Sequence, residues 1–313
     1  MRKVVAAGSI LVDRINEIGA YPKAGELAQI RALSRVPGGL VPNTGCDVHI
    51  LDPRIPVAAF GAVGDDDDGR FAVAELQRRG LDTTGVVVKA APTSFTVVMS
   101  VPGGERTFFT YPGASAAWGY DDFPFDQIGE GDLVLLGYFL LLEKVDAGDG
   151  LKILQELKRR GAETAIDLVS ENSDRYQLVR ECLPSVDHLI VNEIEAARIA
   201  GIEGDLKTVA SKLLELGVQK RVVIHMPQKG VSLLKDGSWT EVPSVDIPKS
   251  FIKGKTGAGD AFCAGCLVGI FNGLPENEIL DLGGIAAVGA MSAPGAVEGM
   301  RPIPELKKLI SSL

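Results

Sequence analysis

The chain has 313 residues, 46% of them hydrophobic, and a formal net charge of −9. That length fits one large α/β domain or two smaller ones, with ample apolar material for a core. An acidic chain without a basic block argues against a nucleic-acid or anionic-membrane partner, while leaving room for a local basic site.

The run Lys3–Ala7 reads as a first buried strand, and it is too short an apolar stretch for a signal peptide. Leu133 to Leu142 is apolar but too short to span a bilayer, so a cytoplasmic protein is expected. Further strand-like runs are Val57–Phe60, Leu133–Leu136, Thr164–Ile166, His188–Val191 and Arg221–His225. Helical patterns lie between them at Arg70–Arg79, Leu151–Arg160, Leu206–Leu216 and Glu276–Ser292. Such alternation predicts an α/β fold with a mainly parallel sheet and helices on both faces. Ligands in these folds bind beyond the carboxyl ends of the strands.

Residues 14–36 and about 92–112 lack helical periodicity. The second segment reads as a β-hairpin turning at Pro102-Gly103-Gly104. One main domain with a small inserted β lid is expected, the lid serving as cover, as dimer surface, or both.

The motifs begin with Asp13, whose carboxylate can accept from neighbouring sugar hydroxyls or act as a turn residue. Gly38-Gly39 and Asn43 permit close backbone approach to a ligand, or form an ordinary helix start. Read from Gly64, Asp66, Asp68, Gly69 and Glu75 partly fit a calcium loop, but Gly64 stands at the first ligand position, and capping of the Arg70–Arg79 helix explains the acidic run better. Asn192 and Glu195 stand one helical turn apart, as oxygen donors to Mg²⁺ or as a capping box. Cys263 and Cys266 lie inside an apolar helix and read as core. The most informative stretch is Gly254-Lys255-Thr256-Gly257-Ala258-Gly259-Asp260. Its glycines turn backbone N–H groups toward one point at a helix N-terminus, an anion cradle. Asp260 beside it suits a base acting on a hydroxyl, although a simple cap is the competing reading.

Together these residues resemble the ribokinase-like (PfkB) carbohydrate kinases, in the family's order along the whole chain. Gly8 to Asp13, Gly38-Gly39 with Asn43, Gly61 to Gly69, Asn192-x-x-Glu195, Thr256 to Asp260 and Met291 to Ala296 carry the resemblance. It implies a ribokinase-like three-layer sandwich with a β lid, ATP and Mg²⁺ as cofactors, and γ-phosphoryl transfer to a hydroxymethyl. Asp260 would be the base, with Gly257, Ala258 and Gly259 as the anion hole. Asp13, Gly38, Gly39 and Asn43 would hold the sugar, with Tyr138 and Asp167 as further substrate contacts. Asn192, Lys255, Thr256, His225, Gly230 and Gly295 would line the nucleotide side, and Glu195 with Asn192 would act on Mg²⁺ through water. A lid-mediated homodimer is expected as well.

The chain also departs from the family. Gly254-Lys255 replace the usual Asp-Thr opening, which leaves open whether the monovalent-cation site of some relatives exists here. His225-Met226-Pro227 replaces a Thr-x-Gly, which leaves the phosphoryl donor's identity open. Leu40 stands where ribokinases proper carry Lys, which argues against ribose. Phe95, Phe109, Tyr111 and Tyr138 could form an aromatic pocket for a nucleoside base or serve as lid core. A nucleoside kinase and a non-catalytic sugar-binding regulator are the alternatives.

Overall fold

The structure is a computed structural model that describes residues 2–103, 106–169 and 175–313. Thirteen strands are described: β1 Val4–Ala7, β2 Leu11–Ile18, β3 Ile30–Gly38, β4 Val57–Gly64, β5 Asp82–Lys89, β6 Ser94–Ser100, β7 Arg106–Tyr111, β8 Leu133–Phe139, β9 Glu163–Leu168, β10 His188–Asn192, β11 Arg221–Met226, β12 Lys229–Leu234 and β13 Trp239–Pro243. The α-helices are α1 Cys46–Leu51, α2 Asp67–Arg78, α3 Gly113–Ala116, α4 Gly150–Arg159, α5 Glu193–Ala200, α6 Leu206–Glu215, α7 Ala258–Phe271, α8 Glu276–Met291 and α9 Ile303–Ile310.

The central sheet has nine strands in the order β13-β12-β11-β10-β9-β8-β1-β4-β5. Strands from β11 across to β5 run parallel, and β12 and β13 join antiparallel at one end. All four residues of β1 are buried, because alternate side chains enter two different cores. Val5 and Ala7 pack with α4, α5 and α6 on one face. Val4 and Ala6 pack with α1, α2, α7 and α8 on the other. Helices on both faces of one sheet make the three layers. Among the described residues, no helix is long and apolar enough to cross a membrane.

The aperiodic segments carry a second, four-stranded sheet in the order β3-β2-β6-β7. β2 pairs parallel with β6 and antiparallel with β3, and β6 pairs antiparallel with β7. Ser100 lies opposite Arg106, while Gly104, in the expected hairpin turn, lies outside the described residues. Asp68, in the first turn of α2, fastens this sheet to the main body. It accepts from Arg14 at 2.6 Å and Arg35 at 3.1 Å, one on each of two lid strands. The Arg14 guanidinium also lies 4.0 Å over the Phe95 ring. Asp66 caps α2 by accepting from Gly69 N–H at 2.8 Å and bonds Thr93 as well, so the acidic run serves helix and loop structure. Cys263 and Cys266 are free and buried, in the core.

Candidate active site

α7 begins at Ala258, with Gly257 as its N-cap at φ +77°. A Cβ on Gly257 would come within 2.7 Å of the Ala296 backbone, so both conformation and space demand glycine. Asp260 therefore stands in the first helical turn, where N–H groups lack intrahelical acceptors and partial positive charge collects. Ala258 N–H donates to the Lys255 carbonyl at 3.3 Å, which turns that one expected donor into the loop itself. Gly257 and Gly259 show no backbone acceptor among the described residues.

Two donors hold the Asp260 carboxylate. Asn43 Nδ2 donates at 2.9 Å, and the Tyr138 hydroxyl lies 2.9 and 3.0 Å from the two oxygens. Asn43 sits in the wide helical turn Val41–Gly45 that precedes α1. Gly39 starts that turn at φ +92°, where a Cβ would meet the Ser9 carbonyl at 2.7 Å. Tyr138 reaches Asp260 from a kink in β8: its register with β9 shifts between Leu136 and Phe139, and Tyr138 itself has φ 59°. Left-handed backbone costs a non-glycine residue on the order of 1 kcal/mol or more and concentrates where a side chain must be re-aimed.

Burial pushes the Asp260 carboxyl up to about 6, opposed by the hydrogen bonds from Tyr138 and Asn43 and reinforced by the nearby charge of Glu195. Asp167, buried behind it, accepts from Tyr138 N–H at 3.2 Å. Burial first, and the Asp260 charge second, hold Asp167 well above the usual carboxylate range. Asn192 and Glu195 form the capping box: Asn192 Oδ1 accepts from Ile194 and Glu195 N–H, and Glu195 Oε2 accepts from Asn192 N–H at 3.1 Å. Among the described residues, no cluster of three His, Cys, Asp or Glu could hold a metal ion directly. The oxygen-only set of Asn192, Glu195 and Asp167 at one cavity fits Mg²⁺ bound through its waters.

Two cavities flank the Lys255–Asp260 loop. One, of about 190 Å³, is lined by Tyr138, Asp167, Asn192, Glu195, His225 and the loop from Lys255 through Asp260 except Thr256. His225 stacks on Phe262 at 4.9 Å, and burial pushes its imidazole down to about 4, so it is neutral near pH 7. The other cavity, of about 250 Å³, lies under the lid and includes Asp13, Pro42, Arg79, Arg106, Phe108 and Thr256. Burial pushes Asp13 up to about 6, opposed by a hydrogen bond with Thr96. Gly38 packs directly on Asp13, where a Cβ would come within 2.6 Å of its carboxylate.

Two expected nucleotide-side glycines lie elsewhere. Gly230 faces His225 across the β11–β12 pair and packs under Phe262, without lining either cavity. Gly295 lines the cavity under the lid, as does Thr256. The aromatic pocket is also redistributed. Phe95 and Tyr111 stack on each other at 5.3 Å, whereas Phe108, which the sequence did not single out, lines the lid cavity. Arg79 and Arg106 were likewise missed; no spacing rule marks them.

A cradle for an anion, open on one side to a carboxylate that can take a proton, is the equipment of a phosphotransferase with an alcohol acceptor. The chain belongs to the pfkB family of carbohydrate kinases, which it matches over residues 1–303. It is 26% identical over 325 residues to a ribokinase of Arabidopsis thaliana, covering 99% of this chain and 80% of that one. A structure of Arabidopsis thaliana ribokinase complexed with ribose and ATP superposes with a TM-score of 0.83 at 25% identity, covering 99% of each chain. Over 137 residues the chain is 39% identical to a cytidine kinase of Thermococcus kodakarensis, covering 42% of this chain and 48% of that one.

Proposed function

We propose that the protein transfers the γ-phosphoryl group of ATP to a hydroxymethyl of a sugar or sugar derivative, with Asp260 as general base. The observation that carries this reading is the Asp260 carboxylate in the first turn of the glycine-capped α7, held by Asn43 and Tyr138. Asp13 accepts from the sugar's secondary hydroxyls, and Gly38, Gly39 and Asn43 allow the sugar to lie close to the backbone. The reacting hydroxyl takes a place at Asp260, gives its proton to the carboxylate and attacks the γ-phosphorus, whose bond to the bridging oxygen breaks as ADP leaves. Negative charge that develops on the transferred group meets the Gly257 and Gly259 N–H groups, each worth about 3 kcal/mol in comparable anion holes. Lys255 supplies positive charge beside the same phosphates. Glu195 and Asn192 would hold Mg²⁺ through water, and the ion, when bound, would neutralise phosphate charge.

A nucleoside acceptor is the second reading. The stretch similar to a cytidine kinase favours it, and Phe108 is the side chain on which a base would stack. An ATP-consumption screen with Mg²⁺ against neutral sugars, sugar phosphates, sugar acids and nucleosides, run beside Asp260→Asn, tests both. Turnover that the variant abolishes supports the kinase and names its acceptor. Confirmed ATP binding with silence across the panel favours a sugar-binding regulator.

We also infer a homodimer through the lid. Leu33 and Phe109, which the strand register puts on one face of that sheet, opposite to Phe108 and the cavity, are 76% and 58% exposed, an apolar surface costly to leave in water. Light scattering at micromolar concentration reads twice the chain mass; a monomer there contradicts the inference.

A further inference from the structure

Among the described residues, two guanidinium groups in the cavity under the lid form no ion pair, although Asp13 and Glu298 line the same cavity. Their neighbours are matched: Arg14 and Arg35 share Asp68, Arg70 meets Asp65 and Asp67, and Arg78 meets Glu75. Arg79, the half-buried C-cap of α2, shows no side-chain hydrogen bond or ion pair among the described residues, yet it lines the cavity. Arg106, on β7, has among the described residues a single side-chain hydrogen bond, to Thr256 Oγ1 at 3.5 Å, the outer limit of such a contact.

Among the described residues, none of the nearby acids pairs with either arginine. Glu75 feels the Arg79 charge, but its carboxylate is held by Arg78 at 2.7 Å. Asp47 also feels Arg79, but it is sealed from solvent with no partner for either oxygen, and its burial favours the protonated, uncharged form. Glu298, on the cavity wall, accepts from Gly295 N–H at 3.2 Å. Asp13 has Thr96 as its partner, and neither arginine shifts it. Ile15, Leu76, Val98 and Phe108 supply apolar wall, where charge acts more strongly than in open water.

We propose that the acceptor carries an anionic group, a phosphate monoester or a carboxylate, remote from the hydroxyl that is phosphorylated, and that Arg79 and Arg106 bind it. This rests on the kinase reading above and names its substrate class. Arginine suits the task because its planar fork can meet either anion through paired N–H···O bonds. Arg79 stands on the main body and Arg106 on the lid, so one anion between them ties the lid over the acceptor. Pro42 and Thr256, on the same cavity, are chain neighbours of Asn43 and Gly257, which places the anion site next to the reaction centre.

The experiment compares neutral sugars with their phosphate monoesters and their carboxylate counterparts. Turnover with Mg²⁺ and ATP and calorimetric binding are both measured on the full chain. The anionic members should show kcat/KM at least about tenfold above the neutral ones, and the phosphate and carboxylate arms tell which anion is taken. Arg79→Gln and Arg106→Gln should raise KM for the anionic acceptor about tenfold or more, with kcat within about threefold. Arg79→Lys should restore part of that loss. A preference for neutral acceptors, or equal KM shifts for both classes in the variants, overturns the proposal. Arginine-dependent binding of anionic sugars without any turnover supports the anion site and overturns the kinase. Asp260-dependent turnover of neutral sugars without anionic preference does the reverse.

Discussion

The two cavities beside the Lys255–Asp260 loop are built from opposite materials. One is cut into the carboxyl ends of the central strands and gathers Asp167, Glu195, Asp260 and a backbone cradle. The other lies under the lid and sets two arginines, with Asp13 and Glu298, among apolar side chains. Strands buried on both faces hold the first, whereas six of nine residues of β3, on the lid, are exposed. On the proposed reading, chemistry rests on the central sheet and acceptor choice on the seam between the lid and α2. Changes in the first cavity should strike kcat, and changes in the second KM.

Gly257→Ala sharpens that division most. It forces a Cβ against the Ala296 backbone, opens the cradle and should cost about two to three orders of magnitude in kcat. Steady-state kinetics, with circular dichroism to show a retained fold, check it; a rise in KM alone would break the comparison.

Next in size is the pH profile. Asp260 must be ionised to take a proton, and burial pushes it up to about 6. The kcat/KM for a neutral acceptor should therefore hold above that pH and fall about tenfold per unit below it. Tyr138→Phe removes a donor that stabilises the carboxylate, so the acidic limb should move to higher pH in the same measurement.

The smallest effect is on stability. An aspartate whose folded pKa lies above its unfolded value favours folding fully only below the unfolded pKa, and loses that contribution as pH rises through the folded one. For Asp260 this window runs from 3.8 to about 6. Asp260→Asn should therefore stabilise the protein at pH 8 by about 1–2 kcal/mol, after discount for solvent in the cavity. The gain should vanish near pH 4 in thermal melts; an unchanged or lower Tm at pH 8 contradicts the assignment.

Much of the sheet was legible because β1, β4 and β8 to β11 are covered on both faces and so read as unbroken apolar runs. β5 and β13 were not, since they form the two sheet edges and mix Asp, Thr, Lys and Glu among their apolar residues. β12 was hidden differently: it opens Lys-Gly, and its buried Ser232 bonds Glu276 at 2.7 Å, a partner remote in the chain. At the site, Gly39, Asn43, Gly257 and Asp260 could be read because backbone geometry or chemistry restricts what may stand there. Arg79 and Arg106 look like ordinary polar residues at a helix end and on a lid strand. Only the packing of the lid over α2 brings them to one cavity. The setting of Gly230 was not legible, because it depends on the β11–β12 register, which sets it against Phe262.

The most direct test of the central claim is the turnover of Asp260→Asn with Mg²⁺, ATP and the acceptor that the wild-type protein phosphorylates. With the base removed and the carboxamide nearly isosteric, kcat should fall at least about a hundredfold while the fold persists. Turnover near the wild-type value would contradict Asp260 as the base and return it to the role of a helix cap.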